Sequence, residues 1–134
     1  MAAPCVLVID DEPHVRGLWC DFLRFLRYEV EEAASGMEGL ERFEHGHYDL
    51  VVSDLLMPGL NGWDLARAVR QARDVPVILV TGDRSAIDVG LLQEPGILLL
   101  QKPISLIDFQ PVVERLLRAN MDQTADPGPP RVTV

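Results

Sequence analysis

Residues 5–12 read Cys5-Val6-Leu7-Val8-Ile9-Asp10-Asp11-Glu12, an unbroken apolar run followed at once by acids. A strand covered on one face alternates apolar and polar residues, whereas a strand covered on both faces is apolar throughout. This stretch therefore predicts a doubly covered strand that delivers carboxylates to its carboxyl end. Further apolar runs recur along the chain at Tyr28 to Ala33, Leu50 to Ser53, Val77 to Val80 and Ile97 to Leu100. The run at 28–33 is interrupted by Glu29, Glu31 and Glu32 and reads as an edge strand.

Helical patterns fill the gaps. Val15, Leu18, Trp19, Phe22 and Leu26 fall on one face at about 100° per residue. Shorter patterns run over Gly36 to Phe43, Leu65 to Ala72 and Ser85 to Leu92, and a last one carries Phe109, Val112, Val113, Leu116 and Leu117. Gly82, Gly90 and the ending Gln93-Glu94-Pro95-Gly96 make the pattern at 85–92 short and poor in helix propensity. Strand and helix alternate five times, which predicts an α/β three-layer sandwich: a mostly parallel sheet with helices on both faces. Pro111 fits the first turn of the last helix if that helix starts near Ser105 to Asp108 with Asp108 as its cap.

With 134 residues, 48% of them hydrophobic and 25% charged, the chain has the size and make-up of one globular domain. That domain is expected over residues 1–120, and the Pro- and Gly-rich stretch 121–134 as a flexible tail. Twelve Lys and Arg against twenty-one Asp and Glu give a net charge of −9, which repels phosphate backbones and argues against direct nucleic-acid binding. No apolar run approaches the roughly 18 residues of a membrane span. No export signal precedes the acids, and Cys5 and Cys20 read as reduced thiols, so a cytoplasmic protein is expected.

In an open parallel sheet the functional groups gather at the carboxyl ends of the strands. Those ends carry Asp10, Asp11 and Glu12, then Asp54, Thr81, and Lys102 followed by Pro103. Several carboxylates in one crevice repel one another, and a hard divalent cation with oxygen ligands, most simply Mg²⁺, relieves the repulsion. Lys102 adds a positive charge and Thr81 a hydroxyl donor, a setting that suits a phosphoryl group. Asp54 is then the candidate acceptor, forming an acyl phosphate. Taken singly these are ordinary loop acids and caps; taken together they form a site. His45 and His47 have ligand-like spacing but fall on the opposite rim, and His14 reads as a surface residue of the first helical turn. Phe25, at the edge of the first helix's apolar stripe, suits a partly covered core position or a docking patch equally. Trp63 reads as packing near a helix cap.

The segments VLVIDDEPHVR (6–16), VVSDLLMPGLNGWDLARAVR (51–70), PVILVTG (76–82) and LLLQKPI (98–104) together resemble the receiver domain of bacterial two-component response regulators, over about Cys5 to Ala119. The resemblance implies a flavodoxin-like fold with strand order 2-1-3-4-5. It implies Asp54 as phosphoacceptor, Thr81 as switch hydroxyl and Lys102 as the family's lysine. It further implies Mg²⁺ held by Asp11, Asp54 and the backbone carbonyl of Leu56, with Asp10 acting through water, and a cis peptide between Lys102 and Pro103. The implied partner is a sensor histidine kinase or a histidine phosphotransfer protein, with a separate downstream protein as target. The face made by the fourth helical pattern, the fifth strand and the fifth helical pattern is the expected output or homodimer surface. Leu99 stands where the family usually has Tyr or Phe, which puts the usual switch in question and motivates an alternative, a phosphorylation-independent interaction module. A third reading, a metal-dependent phosphohydrolase, expects an Asp-x-Asp motif where the chain has Asp10-Asp11-Glu12. Apolar Leu56 near the path of an attacking water predicts slow self-dephosphorylation, and the resemblance implies Asp83 as a second residue lining that entrance.

Overall fold

The computed structural model describes residues 3–82 and 95–125, with the side chains of 119–125 outside the description. The elements run β1 (Cys5–Ile9), α1 (Pro13–Phe25), β2 (Glu29–Ala33), α2 (Gly36–His45), β3 (Leu50–Asp54), α3 (Gly62–Ala72), β4 (Val77–Thr81), β5 (Ile97–Gln101) and α4 (Leu106–Ala125). The strands form one parallel five-stranded sheet in the order β2-β1-β3-β4-β5, the flavodoxin-like arrangement expected. The helical pattern at Ser85 to Leu92, and with it Asp83, lies outside the described residues.

Side chains alternate across a strand, so each apolar run splits between two cores. Leu7, Ile9, Val51, Val77 and Leu79 join the core that includes Phe43 of α2 and Leu65, Ala66 and Val69 of α3. Val6, Val8, Leu50, Val52, Ile78 and Val80 join the core on the other face, with Trp19, Cys20 and Leu23 of α1 and Phe109, Val113 and Leu117 of α4. Described helices thus cover both faces of the sheet, and β2 lies at the edge with Glu29 and Glu31 exposed. The first three helices are capped by side chains at their starts: Glu12 accepts from the His14 amide, Ser35 from Glu38 and Asn61 from Asp64.

Several expectations change. Leu18, assigned to the inward stripe of α1, is 64% exposed, because α1 turns Trp19, Cys20 and Leu23 onto the sheet and onto Phe109. Phe25 is 81% exposed and contributes nothing to the core. Trp63 does more than pack at a cap: as the second residue of α3 it is buried in the core that α2 and α3 form with the sheet. The last helix is capped by Ser105, whose hydroxyl accepts from the Asp108 amide at 3.1 Å. Asp108 therefore sits in the first turn and Pro111 inside the helix, past the positions where an amide is dispensable. The helix also continues to Ala125, beyond the Met121 expected to begin a tail, while residues 126–134 lie outside the described residues.

Candidate functional site

Register brings the strand ends to a common rim. Ile9 pairs with Ser53, Asp54 with Val80, and Thr81 with Gln101. Asp10 follows β1 directly, Asp54 ends β3, Thr81 ends β4 and Lys102 follows β5. The Lys102 amide donates to the Thr81 carbonyl at 2.7 Å, extending the β4–β5 ladder to the lysine. The Lys102–Pro103 peptide is cis.

Among the described residues the buried polar or charged side chains are Asp10, Ser53 and Thr81, and all three lie at this rim. Burying a polar group carries a cost that only partners or function explain. One carboxylate oxygen each from Asp10, Asp11 and Asp54 lies within 4.8 Å of the others. Burial pushes the Asp54 carboxyl above the usual carboxylate range; Lys102 and the amides of Leu56 and Leu55 oppose the shift, and Asp11 adds to it. Asp10 is likewise raised by burial, against the hydrogen bond from the Glu12 amide, and Asp54 raises it further. These are groups held near one another with their negative charge uncomfortable, the condition a divalent cation relieves. An all-oxygen donor set of this kind fits Mg²⁺.

The acceptor's loop is fixed by close packing. The Gly62 amide donates to the Leu55 carbonyl at 2.8 Å, and a Cβ on Gly62 would sit 2.7 Å from the Asp54 carbonyl oxygen. Leu56, beyond Asp54, is half exposed. His45 and His47 stay on the far rim, where His45 Nδ1 lies 2.9 Å from the Glu41 carbonyl. His14 is exposed at the start of α1. Two contributors escaped the sequence reading. Gly62 is one, although the Asn61-Gly62 pair after the acceptor loop marks a tight approach. The other is Arg16, whose Nη1 donates to the Asp10 carbonyl at 2.8 Å; its only trace in the sequence is a cation one turn after the acids.

A doubly wound parallel sheet with an acidic crevice, a threonine and a lysine at its carboxyl rim defines a class of signalling domain. The response regulator receiver domain family matches residues 6–114, and the chain belongs to that family. Receiver domains are regulatory domains of two-component systems, served by histidine kinases or phosphotransfer proteins, and are not a substrate-turning enzyme family. The DNA-binding response regulator MtrA of Mycolicibacterium smegmatis is 30% identical over 122 residues, which is 90% of this chain and 54% of MtrA. The transcriptional regulatory protein ResD of Bacillus subtilis is 36% identical over 76 residues, 57% of this chain and 32% of ResD. The chain thus spans about half or less of these curated relatives. Among solved structures, the response regulator protein TrrA of Thermotoga maritima, in complex with Mg²⁺ and BeF, superposes with a TM-score of 0.77 at 31% identity, covering 84% of this chain and 98% of that one.

Proposed function

We propose that this chain is a phosphoaccepting receiver in which Asp54 takes a phosphoryl group from a phosphohistidine on a kinase or phosphotransfer partner. The observation that carries the reading is the convergence of Asp10, Asp11 and Asp54 within 4.8 Å on the rim where β4 delivers Thr81 and β5 delivers Lys102. Asp10, Asp11, Asp54 and the Leu56 carbonyl would hold Mg²⁺, which supplies neutralisation of the negative charge on both the acids and the incoming group. TrrA, solved with Mg²⁺ and BeF, supports that assignment by likeness.

Asp54, partly buried at the end of β3, offers a carboxylate oxygen as the nucleophile. In the transfer that oxygen forms a bond to phosphorus, the phosphorus–nitrogen bond of the donor breaks, and the imidazole leaves with the electron pair and takes a proton. Lys102 supplies a fixed positive charge to the phosphoryl oxygens and the Thr81 hydroxyl a donor, so positioning and charge do most of the work. The phosphoryl's preference for one arrangement of these groups biases a two-state surface for a downstream protein. Leu99, partly buried beneath the same layer as Leu79, takes the place of the family's aromatic, so the change at the surface must travel through repacking. The cytoplasm is the expected compartment, and no described helix is long and apolar enough to cross a membrane.

Incubation with a small acyl phosphate and Mg²⁺, followed by intact mass, tests the reading. A gain of one phosphoryl is expected. No gain favours the phosphorylation-independent module, and rapid consumption of the donor without a lasting gain favours a hydrolase. Half-exposed Leu56 offers an attacking water no hydrogen bond, so the phosphoryl should decay slowly, and faster decay in the wild type than in Leu56→Asn would defeat that expectation.

A further inference from the structure

Arg16 lies in the first turns of α1, and its side chain is only 18% exposed. Nη1 donates to the Asp10 carbonyl at 2.8 Å, and Nε donates to Glu32 Oε1 of β2 at 3.1 Å. Asp10 is held from two other directions: its amide donates to the Ala33 carbonyl at 3.2 Å, and its Oδ1 accepts from the Glu12 amide at 2.9 Å. The carbonyl that Arg16 grips belongs to the peptide joining Asp10 to Asp11. A peptide unit is planar and turns as one piece, so fixing this oxygen fixes the direction in which both residues leave β1.

We propose that Arg16 is a positioning residue for the divalent-cation site, pinning the Asp10–Asp11 peptide against β2 through Glu32 so that both carboxylates face Asp54. The proposal rests on the reading of this rim as a cation-dependent phosphoacceptor site. Glu32 also receives Arg24 at 3.7 Å, so the edge strand acts as the anchor and Arg16 as the strut between anchor and site. An ion pair that served only the surface would be worth little and would sit in solvent. Arg16 instead withdraws most of its side chain from water and directs one N–H to a backbone carbonyl, a use that sets geometry. The guanidinium fork reaches both partners from two separate nitrogens in a fixed plane, a geometry that the single ammonium of lysine does not reproduce. Loss of groups that orient metal ligands typically weakens metal affinity about 10- to 100-fold.

Calorimetric titration of Mg²⁺ into the full chain tests this, on the wild type, Arg16→Met, Arg16→Lys and Glu32→Gln, each well below its own melting temperature. Phosphoryl uptake is followed in parallel as a function of Mg²⁺. Arg16→Met keeps the alkyl stem and should weaken Mg²⁺ binding about tenfold, with the uptake rate recovering at saturating Mg²⁺. Arg16→Lys should recover part of the affinity, and Glu32→Gln should show a smaller loss of the same kind. A merely structural role would lower the melting temperature and leave Mg²⁺ affinity of the folded protein unchanged, and that result overturns the proposal. If Arg16→Met does not fold, unchanged affinity in both Arg16→Lys and Glu32→Gln overturns it equally. A wild type that binds Mg²⁺ yet takes no phosphoryl overturns the phosphoacceptor reading alone. Normal uptake with unaltered Mg²⁺ affinity in the variants overturns the role of Arg16 alone, and a wild type that binds no Mg²⁺ overturns it outright.

Discussion

At the amino-terminal rim of the sheet Asp49 accepts from the Cys5 amide at 2.8 Å, while at the carboxyl-terminal rim Asp54 stands among other acids. The amino-terminal rim pairs its charges with backbone groups. Arg73 donates to the carbonyls of Gly46 at 2.6 Å and Glu44 at 3.1 Å and lies 4.8 Å over the Phe43 ring. Arg70 donates to the Val75 carbonyl at 3.1 Å and meets Asp74 at 2.9 Å. Those contacts tie loops to strands and hold α2, α3 and the sheet together. At the other rim Asp10 and Asp54 are pushed toward protonation by burial, with Asp54 adding to the shift of Asp10 and Asp11 to that of Asp54, an arrangement that stability alone would remove. The difference separates charge used for architecture from charge held ready for a ligand, on two edges of one sheet.

The sharpest way to test that division is Asp54→Asn, which should abolish phosphoryl uptake completely while the domain stays folded, because the nucleophile goes and like-charge repulsion falls. Intact mass after treatment with an acyl phosphate and Mg²⁺ gives the answer, and persistent labelling would move the acceptor elsewhere. Gly62→Ala should come next in size. Its Cβ would meet the Asp54 carbonyl oxygen at 2.7 Å and the Leu55 Cα at 2.8 Å, both backbone, at a cost of about 1–3 kcal/mol. Urea unfolding measures this, and an unchanged midpoint would show the acceptor loop to be free to shift.

Asp10→Asn tests the electrostatic half of the contrast. A carboxyl whose folded-state pKa lies above its unfolded value binds a proton more tightly when folded. Stability is then lost as pH rises from the ordinary carboxylate range through the raised value, and the cost persists at neutral pH. Without Mg²⁺, Asp10→Asn should therefore melt a few degrees higher than the wild type at neutral pH, with the advantage shrinking on acidification. Melting curves at several pH values decide, and a variant less stable than the wild type at neutral pH would contradict the argument. The smallest effect belongs to the other rim. Arg73→Ala should lower stability by about 1 kcal/mol, through the lost carbonyl contacts and ring interaction, and leave phosphoryl uptake unaltered. A changed uptake rate there would mean that the two rims are coupled.

Much of the candidate site was legible because its acids fall at the ends of apolar runs, and a run that is apolar throughout announces burial on both faces. Strand ends in a parallel sheet then point to one rim, so Asp10, Asp54, Thr81 and Lys102 could be gathered before any geometry was known. Arg16 was not legible in this way, since its partner is a backbone carbonyl and a carbonyl has no letter in the sequence. One position of the inward face of α1, Leu18, was misjudged for a related reason, while Val15, Trp19 and Phe22 do meet the core. Periodicity specifies that a helix has an apolar side, but the direction of that side depends on what stands beside it. Here Phe109 of α4, 4.7 Å from Trp19 between ring centroids, turns the helix so that Leu18 faces out.

By itself the sequence determined the alternation of strands and helices, the doubly covered sheet and the family, because these follow from local periodicity and from motifs a few residues long. Tertiary structure decided which acid oxygens lie within reach of one another, how α1 is rotated, that Ser105 rather than Asp108 caps α4, and that Arg16 braces the Asp10–Asp11 peptide against Glu32. Such features depend on distances between residues far apart in the chain, and those distances exist only once the two cores have closed around the sheet.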